Sequence, residues 1–323
     1  MADITRRIQS EARRLLESGE VEAVIGFEKG SLPLRARPTF IRRPEDVETL
    51  VWNGFCENNL ARYLLKVRDQ RVGIVAKGCD TRAIVALMAE RQVDRDRIFI
   101  IGVPCNGMVD SRQVAKAVPG EITEVEVKGQ RIFARGKDFE MILPRRKYLH
   151  SSCQACEYPN PVIYDVLVAK PVESKGDLSI LTDQFESLSH EERWTYFASE
   201  SERCIRCYAC REACPMCYCN ECFVDHTMPR WSETGVTPSG LQFWHIVRAY
   251  HQTGRCVTCG ACERACPMGI KLVYLMARLN EDVRELFEFE TGLNPEAVPP
   301  LATFQSDKER EIATQIEAGA PKT

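Results

Sequence analysis

The chain has 323 residues, 44% of them hydrophobic and 28% charged, with a formal net charge of −3. That composition describes an ordinary soluble globular protein of about two domains. The near-neutral charge gives no electrostatic reason for nucleic acid or an anionic membrane as partner, and no apolar stretch approaches the ~20 residues needed to cross a bilayer.

In chain order, residues 1–20 make an amphipathic helix, too acidic for a transit peptide and without the apolar core of a signal peptide. With sixteen cysteines in the chain, this implies a reducing cytoplasm rather than a disulfide framework. Residues 1–170 read as an α/β domain with parallel strands. Residues 71–76 (RVGIVA) and 97–103 (RIFIIGV) are short β-branched runs, and 81–91 between them is helical, with Ala83, Ile84, Leu87 and Met88 on one face. Strand, helix, strand is a parallel crossover. Residues 122–135 read as a hairpin turning at Lys128 and Gly129. Neither strand is followed by G-x-G-x-x-G, and Gly73 to Gly78 lacks the lysine of a phosphate loop.

Residues 171–188 are polar and irregular and read as a linker. Ser189 and Glu192 then make a capping box that opens a helix toward Ser201. Residues 239–252 are helical, with Leu241, Trp244, Ile246, Val247 and Tyr250 near helical spacing. A last helix carries Leu272, Met276, Leu279, Val283 and Leu286 every three or four residues. Residues 189–293 are therefore expected to be an all-α domain, and the proline-rich, then charged 294–323 a tail, disordered or docked on a partner.

The all-α region contains a doubled motif. Cys204, Cys207, Cys210 and Cys214 precede Pro215, and Cys256, Cys259, Cys262 and Cys266 precede Pro267. Both read C-x2-C-x2-C-x3-C-P, the ligand pattern of two 4Fe–4S clusters in which the fourth cysteine of each run serves the other run's cluster. Four-cysteine zinc sites are built from C-x2-C pairs rather than triplets. Arg203, Arg206, Arg211, Arg255 and Arg264 flank the runs, where guanidinium charge favours an anionic cluster. The helix-bearing gap between the runs suits a helical ferredoxin rather than the small β-hairpin kind.

Eight cysteines lie outside these runs. Cys79 and Cys105 each follow a parallel strand, at the carboxyl edge where α/β sheets place ligands. With the C-x2-C pair Cys153 and Cys156 they suggest a third cluster, against the plainer reading of buried small residues. Cys217, Cys219 and Cys222 crowd behind Pro215. They are either a further metal site, with Cys56 as a distant fourth ligand, or packing cysteines beside an existing cluster.

The stretch from Val75 to Ala83, then Gly102 to Cys105, then Cys153, Cys156, Tyr158 and Pro159, resembles the beta-subunit family of coenzyme F420-reducing hydrogenases and related dehydrogenases. Gly254 through Cys262, with Cys266 and Pro267, looks like the C subunit of heterodisulfide reductases. The resemblance implies an electron-transfer subunit working with hydrogenase, formate dehydrogenase, heterodisulfide-reductase-like or flavoprotein partners. Members of the beta-subunit family bind FAD and a 4Fe–4S cluster. Two functions are thus expected to compete: an electron wire, and a FAD-containing oxidoreductase subunit that converts hydride to single electrons. No catalytic residue is assigned, since no Ser-His-Asp set, carboxylate pair or phosphate loop is present.

Overall fold

In the computed structural model, which describes residues 2–303, the chain opens with helix α1 (Ala2–Glu17). Ile8, Ala12 and Leu15, at helical spacing, are buried where α1 crosses the sheet that follows. That domain continues through β1 (Ala23–Lys29), β2 (Ala36–Ile41), α2 (Ala61–Leu64), β3 (Val72–Ala76), α3 (Gly78–Ala89) and β4 (Ile98–Gly102). After α4 (Ser111–Ala117) come β5 (Ile122–Lys128), β6 (Arg131–Gly136), β7 (Glu140–Pro144), α5 (Ser151–Gln154) and β8 (Val166–Leu167).

The larger sheet has the order β2-β1-β3-β4-β8, with β2 antiparallel at one edge and the other pairings parallel. Every residue of β3 is buried, as expected of a central parallel strand covered on both faces. The smaller sheet is the antiparallel meander β5-β6-β7 around Ile132, Ala134 and Leu143. Its first hairpin turns one residue later than the sequence suggests. Lys128 still pairs with Arg131, and Gly129, at φ +53°, makes the turn with Gln130.

The C-terminal part is all helical: α6 (Ser179–Glu186), α7 (His190–Glu202), α8 (Ala209–Ala213), α9 (Pro238–Gln252), α10 (Ala261–Ala265) and α11 (Leu272–Phe287). The capping box of α7 is formed, with the Ser189 amide donating to Glu192 at 2.8 Å and the Glu192 amide to Ser189 at 3.3 Å. Thr237 caps α9, and Pro238 occupies its first turn.

Three expectations need correction here. Residues 171–188 are not irregular throughout, because α6 forms within them. Leu178 and Leu181 are buried with Val273 and Ala277 of α11, and burying those two leucines is what orders the segment. On α9, Tyr250 is exposed, whereas Leu241, Trp244, His245, Arg248 and Gln252 face inward. On α11, Leu286 is likewise exposed, while Leu272, Met276 and Val283 are buried. Of the expected tail, 304–323 lies outside the described residues, and Pro300 rests against Gly254.

Several arginines tie the helical part to the α/β part. Arg255 makes a two-pronged contact with Glu90, 2.6 Å on each side. Arg112 donates to the carbonyls of Cys266 and Arg264 at 2.9 and 3.1 Å, and Arg82 to Thr291. Among the described residues no helix is long and apolar enough to cross a membrane.

Candidate metal centres

Each cysteine run is a tight coil leading into a five-residue helix. Arg206 and Tyr208 in the first run, and Thr258 and Gly260 in the second, all have positive φ, between 52° and 70°. Those turns bend the backbone back on its own thiols. The amide of Arg206 points at Cys204 Sγ, and that of Thr258 at Cys256 Sγ, each at 3.4 Å. Gly260 also has no room for a side chain, because a Cβ there would sit 2.2 Å from Ser152 Oγ.

The short helices α8 and α10 exchange the last ligands. One cavity, here called outer, is lined by Cys204, Cys207, Cys210 and Cys266, with exposed Cys207, Ile205 and Met268 on its wall. A second, the middle cavity, is lined by Cys214, Cys256, Cys259 and Cys262. Cys210 lies in the first turn of α8 and Cys214 just past its end, as Cys262 and Cys266 do on α10. Four residues advance a helix by about 6 Å, so each helix carries one thiol to each cavity.

A third, wide cavity of about 610 Å³ lies at the carboxyl edge of the parallel sheet. Ala76 of β3 pairs with Gly102 of β4, and Cys79 and Cys105 each stand three residues beyond that rung. Cys79 sits in the first turn of α3, where Asp80 accepts from the Lys77 amide at 3.0 Å. Cys153 comes from α5 and Cys156 from just past it. All four cysteines line the wide cavity, and so do Cys256 and Cys259, so the segment between these two separates the wide cavity from the middle one. Gly78 permits this layering, since a Cβ there would meet the Tyr158 carbonyl at 2.0 Å.

The thiols are held out of water. Burial pushes Cys105 up to about 11, and Cys156, Cys210, Cys256 and Cys262 up to about 12. A buried thiol of this kind becomes a thiolate when a metal takes the proton's place. Cationic groups stand ready around them: Lys77 near Cys79 and Cys105, Arg145 near Cys105 and Cys153, Arg248 and Arg264 near several thiols each.

A second observation fits the same chemistry. Among the described residues, the buried side-chain polar atoms without a hydrogen-bond partner are Arg145 Nε, both ring nitrogens of His245, Arg248 Nε and Asn280 Oδ1. Every one of these four side chains lines a cysteine cavity: His245 the outer, Arg248 the middle, Arg145 and Asn280 the wide one. Unpaired buried polar groups are costly and call for an explanation. For Arg145, Arg248 and an N–H of His245, facing anionic, sulfur-rich clusters supplies one; Asn280 Oδ1 is an acceptor and is not accounted for in this way. Burial, helped by Arg248, lowers His245 to about 4, so it offers an N–H without a charge. Sequence reasoning passed over Arg145, His245, Arg248 and Asn280. The one available signal was polar residues on the inward face of an otherwise apolar helix. A single-ion site is a poor fit, since no three His, Cys, Asp or Glu side chains among the described residues gather around one point.

The remaining four cysteines are not brought together among the described residues. Cys56 is fully buried in the α/β core, its thiol directed at the carbonyl of Val51 and at Asn53. Cys217 lies against Cys214 and accepts from Gln252 at 3.4 Å. Cys219 is exposed, and Cys222 packs with Phe223 at the edge of the helical core. Cys56 lies in the α/β core and Cys219 at the surface, an arrangement that offers no common pocket for the four among the described residues. Most of the flanking arginines are also engaged elsewhere: Arg203 with Glu200, Arg206 with Ser232, Arg211 with Asp225 and Arg255 with Glu90.

Residues 69–184 match the family described as the C terminus of the Coenzyme F420 hydrogenase/dehydrogenase beta subunit, and residues 200–270 match the 4Fe-4S dicluster domain. The chain is similar to the F420-dependent formate dehydrogenase subunit beta of Methanocaldococcus jannaschii, 23% identical over 352 residues, which span 90% of this chain and 92% of that one. It is similar to the same extent, 23% over 352 residues, to the F420-dependent formate dehydrogenase 1 subunit beta of Methanococcus maripaludis, across 89% of this chain and 90% of the relative. Against the solved F420-reducing NiFe hydrogenase complex of Methanosarcina barkeri, the likeness has a TM-score of 0.37 at 17% identity, covering 49% of this chain and 63% of that one. The first match falls on the residues that carry the beta-subunit resemblance, and the second on the two cysteine runs, consistent with an iron–sulfur electron-transfer subunit of an oxidoreductase.

Proposed function

We propose that this chain is the iron–sulfur electron-transfer subunit of a cytoplasmic complex like the F420-dependent formate dehydrogenases, with 4Fe–4S clusters in the outer, middle and wide cavities. The observation that supports this reading is that the outer and middle cavities are each lined by four cysteines, with the fourth cysteine of each run in the other run's cavity, and that Cys79, Cys105, Cys153 and Cys156 meet in the wide one, which shares Cys256 and Cys259 with the middle cavity. When bound, such clusters supply one-electron transfer. The residues of the chain fix their spacing and surroundings. The helices α8 and α10 each carry one cysteine of the outer site and one of the middle site, four residues apart, and the segment from Cys256 to Cys259 is the wall common to middle and wide sites. Exposed Cys207, Ile205 and Met268 put the outer site where a partner can approach it.

A second reading has FAD beside the third cluster. What favours it is the size of the wide cavity, which at about 610 Å³ falls in the range of cofactor pockets. Its walls include Arg145, Arg146 and Lys175, suited to the diphosphate of a dinucleotide. In that case the α/β domain takes hydride from a reduced deazaflavin or nicotinamide, and the helical module is its outlet. Anaerobic purification with iron, sulfide and flavin quantitation tests both. Three cubes require about twelve iron and twelve sulfide per chain, and a count near eight removes the wide-cavity cluster. Stoichiometric flavin selects the second reading.

A further inference from the structure

A guanidinium stands at each junction between the cysteine cavities, buried at one and partly buried at the other. Arg248, on α9, is 5% exposed and lines the middle cavity. Its Nη2 donates to the carbonyl of Cys210, an outer-cavity residue, at 3.2 Å. The thiols whose charge it feels are Cys262 and Cys214 of the middle cavity, Cys217 beside it, and Cys210 of the outer one.

Arg264, on α10, occupies the corresponding place at the other junction. It lines the wide cavity, donates to the carbonyl of Cys259 at 2.6 Å and to that of Glu57 at 2.7 Å. Cys79, Cys153 and Cys259 line the same cavity, and the nearby Glu57 carboxylate, which also lines it, is held by Arg35 and His150. Of the other cations near these sites, Lys77 pairs with Asp80, Arg82 with Glu290 and Arg255 with Glu90, while Arg145 in the wide cavity meets only backbone carbonyls and borders no second cavity. Among the described residues neither Arg248 nor Arg264 forms a salt bridge with a carboxylate, and Arg248 Nε has no partner at all. A buried charge without a counter-ion is strongly destabilising. Here the counter-ions would be the clusters on either side.

We propose that Arg248 and Arg264 are the junction residues of the relay, each the shared counter-charge of two neighbouring clusters. Each raises the reduction potentials on both sides of its junction, because net charge and hydrogen bonds to sulfur set those potentials. The middle site, which borders both arginines, is raised by both. An electron crossing either junction stays beside the same cation at each end of its path, so the crossing does not separate it from its counter-charge. This inference rests on the three-cluster reading above.

The test uses the anaerobically purified holoprotein, with iron and sulfide counted before an EPR-monitored redox titration. Arg248→Gln should lower two potentials, and Arg264→Gln should lower two, with one potential common to both variants. Arg248→Lys and Arg264→Lys keep the charge and should return the potentials toward wild type. Full iron with unmoved potentials overturns the proposal, and so does each Gln variant moving a single, different potential. Should a Gln variant lose iron, the Lys variant decides: loaded with near-wild-type potentials it supports a charge role, while loaded with lowered potentials, or also lacking iron, it overturns it. A wild-type count near eight iron instead removes the three-cluster reading itself, which the titration would not have been needed to show.

Discussion

Cys214 gives the sharpest check on how the sites are built. In sequence it closes the run of Cys204, Cys207 and Cys210, yet in space it lines the cavity of Cys256, Cys259 and Cys262. Cys214→Ala should therefore empty the middle site and cost about four iron atoms per chain, the content of one cube. Adding Cys256→Ala removes a second ligand from the same site, so the double variant should still lose only about four. Adding Cys204→Ala instead strikes the outer site, and the loss should rise to about eight. Anaerobic iron and sulfide analysis, with the reduced-state EPR signals as a second readout, distinguishes these numbers easily. If ligands stayed within their own run, the arithmetic would invert: the Cys204 double would lose about four and the Cys256 double about eight. That inversion would refute the exchange of ligands across α8 and α10.

Cys79→Ser or Cys105→Ser should each lower iron by about one cluster, about four atoms, while the signals of the helical module persist. Gly78→Ala should have the same consequence without touching a ligand, because its new methyl would displace the Tyr158 carbonyl beside Cys79 and Cys156; an unchanged iron content would show that this packing does not hold the site. Cys219→Ser and Cys222→Ser should leave iron and sulfide at wild-type values, and loss of iron from either would reinstate a role in ligation. Asp80→Asn leaves the Lys77 ammonium buried beside Phe27 and the Asn58 carbonyl with no carboxylate. It should destabilise the α/β domain by about 3–5 kcal/mol, read as a lower unfolding midpoint, and an unshifted midpoint would contradict the burial of the pair.

Much of this was legible in the residues, for identifiable reasons. A cluster's ligands have fixed spacing along a tight coil, so both cysteine runs could be read directly. A parallel β3-α3-β4 unit has a strong apolar pattern, and that alone places Cys79 and Cys105 at one sheet edge. Helix α6 was missed because its eight residues mix polar and apolar side chains, and two buried leucines order it only against α11. The inward face of α9 was misread for a more instructive reason. Hydrophobic periodicity locates the side that faces a core of carbon, but α9 faces two sulfur-lined cavities. The side that turns inward carries His245, Arg248 and Gln252 beside Leu241 and Trp244. A polar residue breaking an apolar stripe looks like noise in a sequence, and here it marks the wall of a cysteine-lined cavity. The short spacing of Cys217, Cys219 and Cys222 carries no information about which way each side chain leaves its turn, so the sequence left a further site and packing cysteines as equal readings.

The exchange of ligands between the runs also has a consequence in time. A polypeptide emerges from the ribosome with its N-terminus first. By the time Cys214 has appeared, the first run is complete in sequence, yet neither helical cavity has its four thiols. The middle site waits for Cys262 and the outer site for Cys266, some fifty residues of synthesis later at ~5–20 residues per second. The thiols of the wide cavity, by contrast, are all present once Cys156 has been made, although their wall is not closed until Cys256 to Cys259 arrives. A nascent chain therefore exposes a half-finished pair of sites for seconds, and a fragment ending anywhere between the runs can hold neither cluster of the helical module. Cofactor insertion becomes a test that only a chain synthesised through Cys266 can pass.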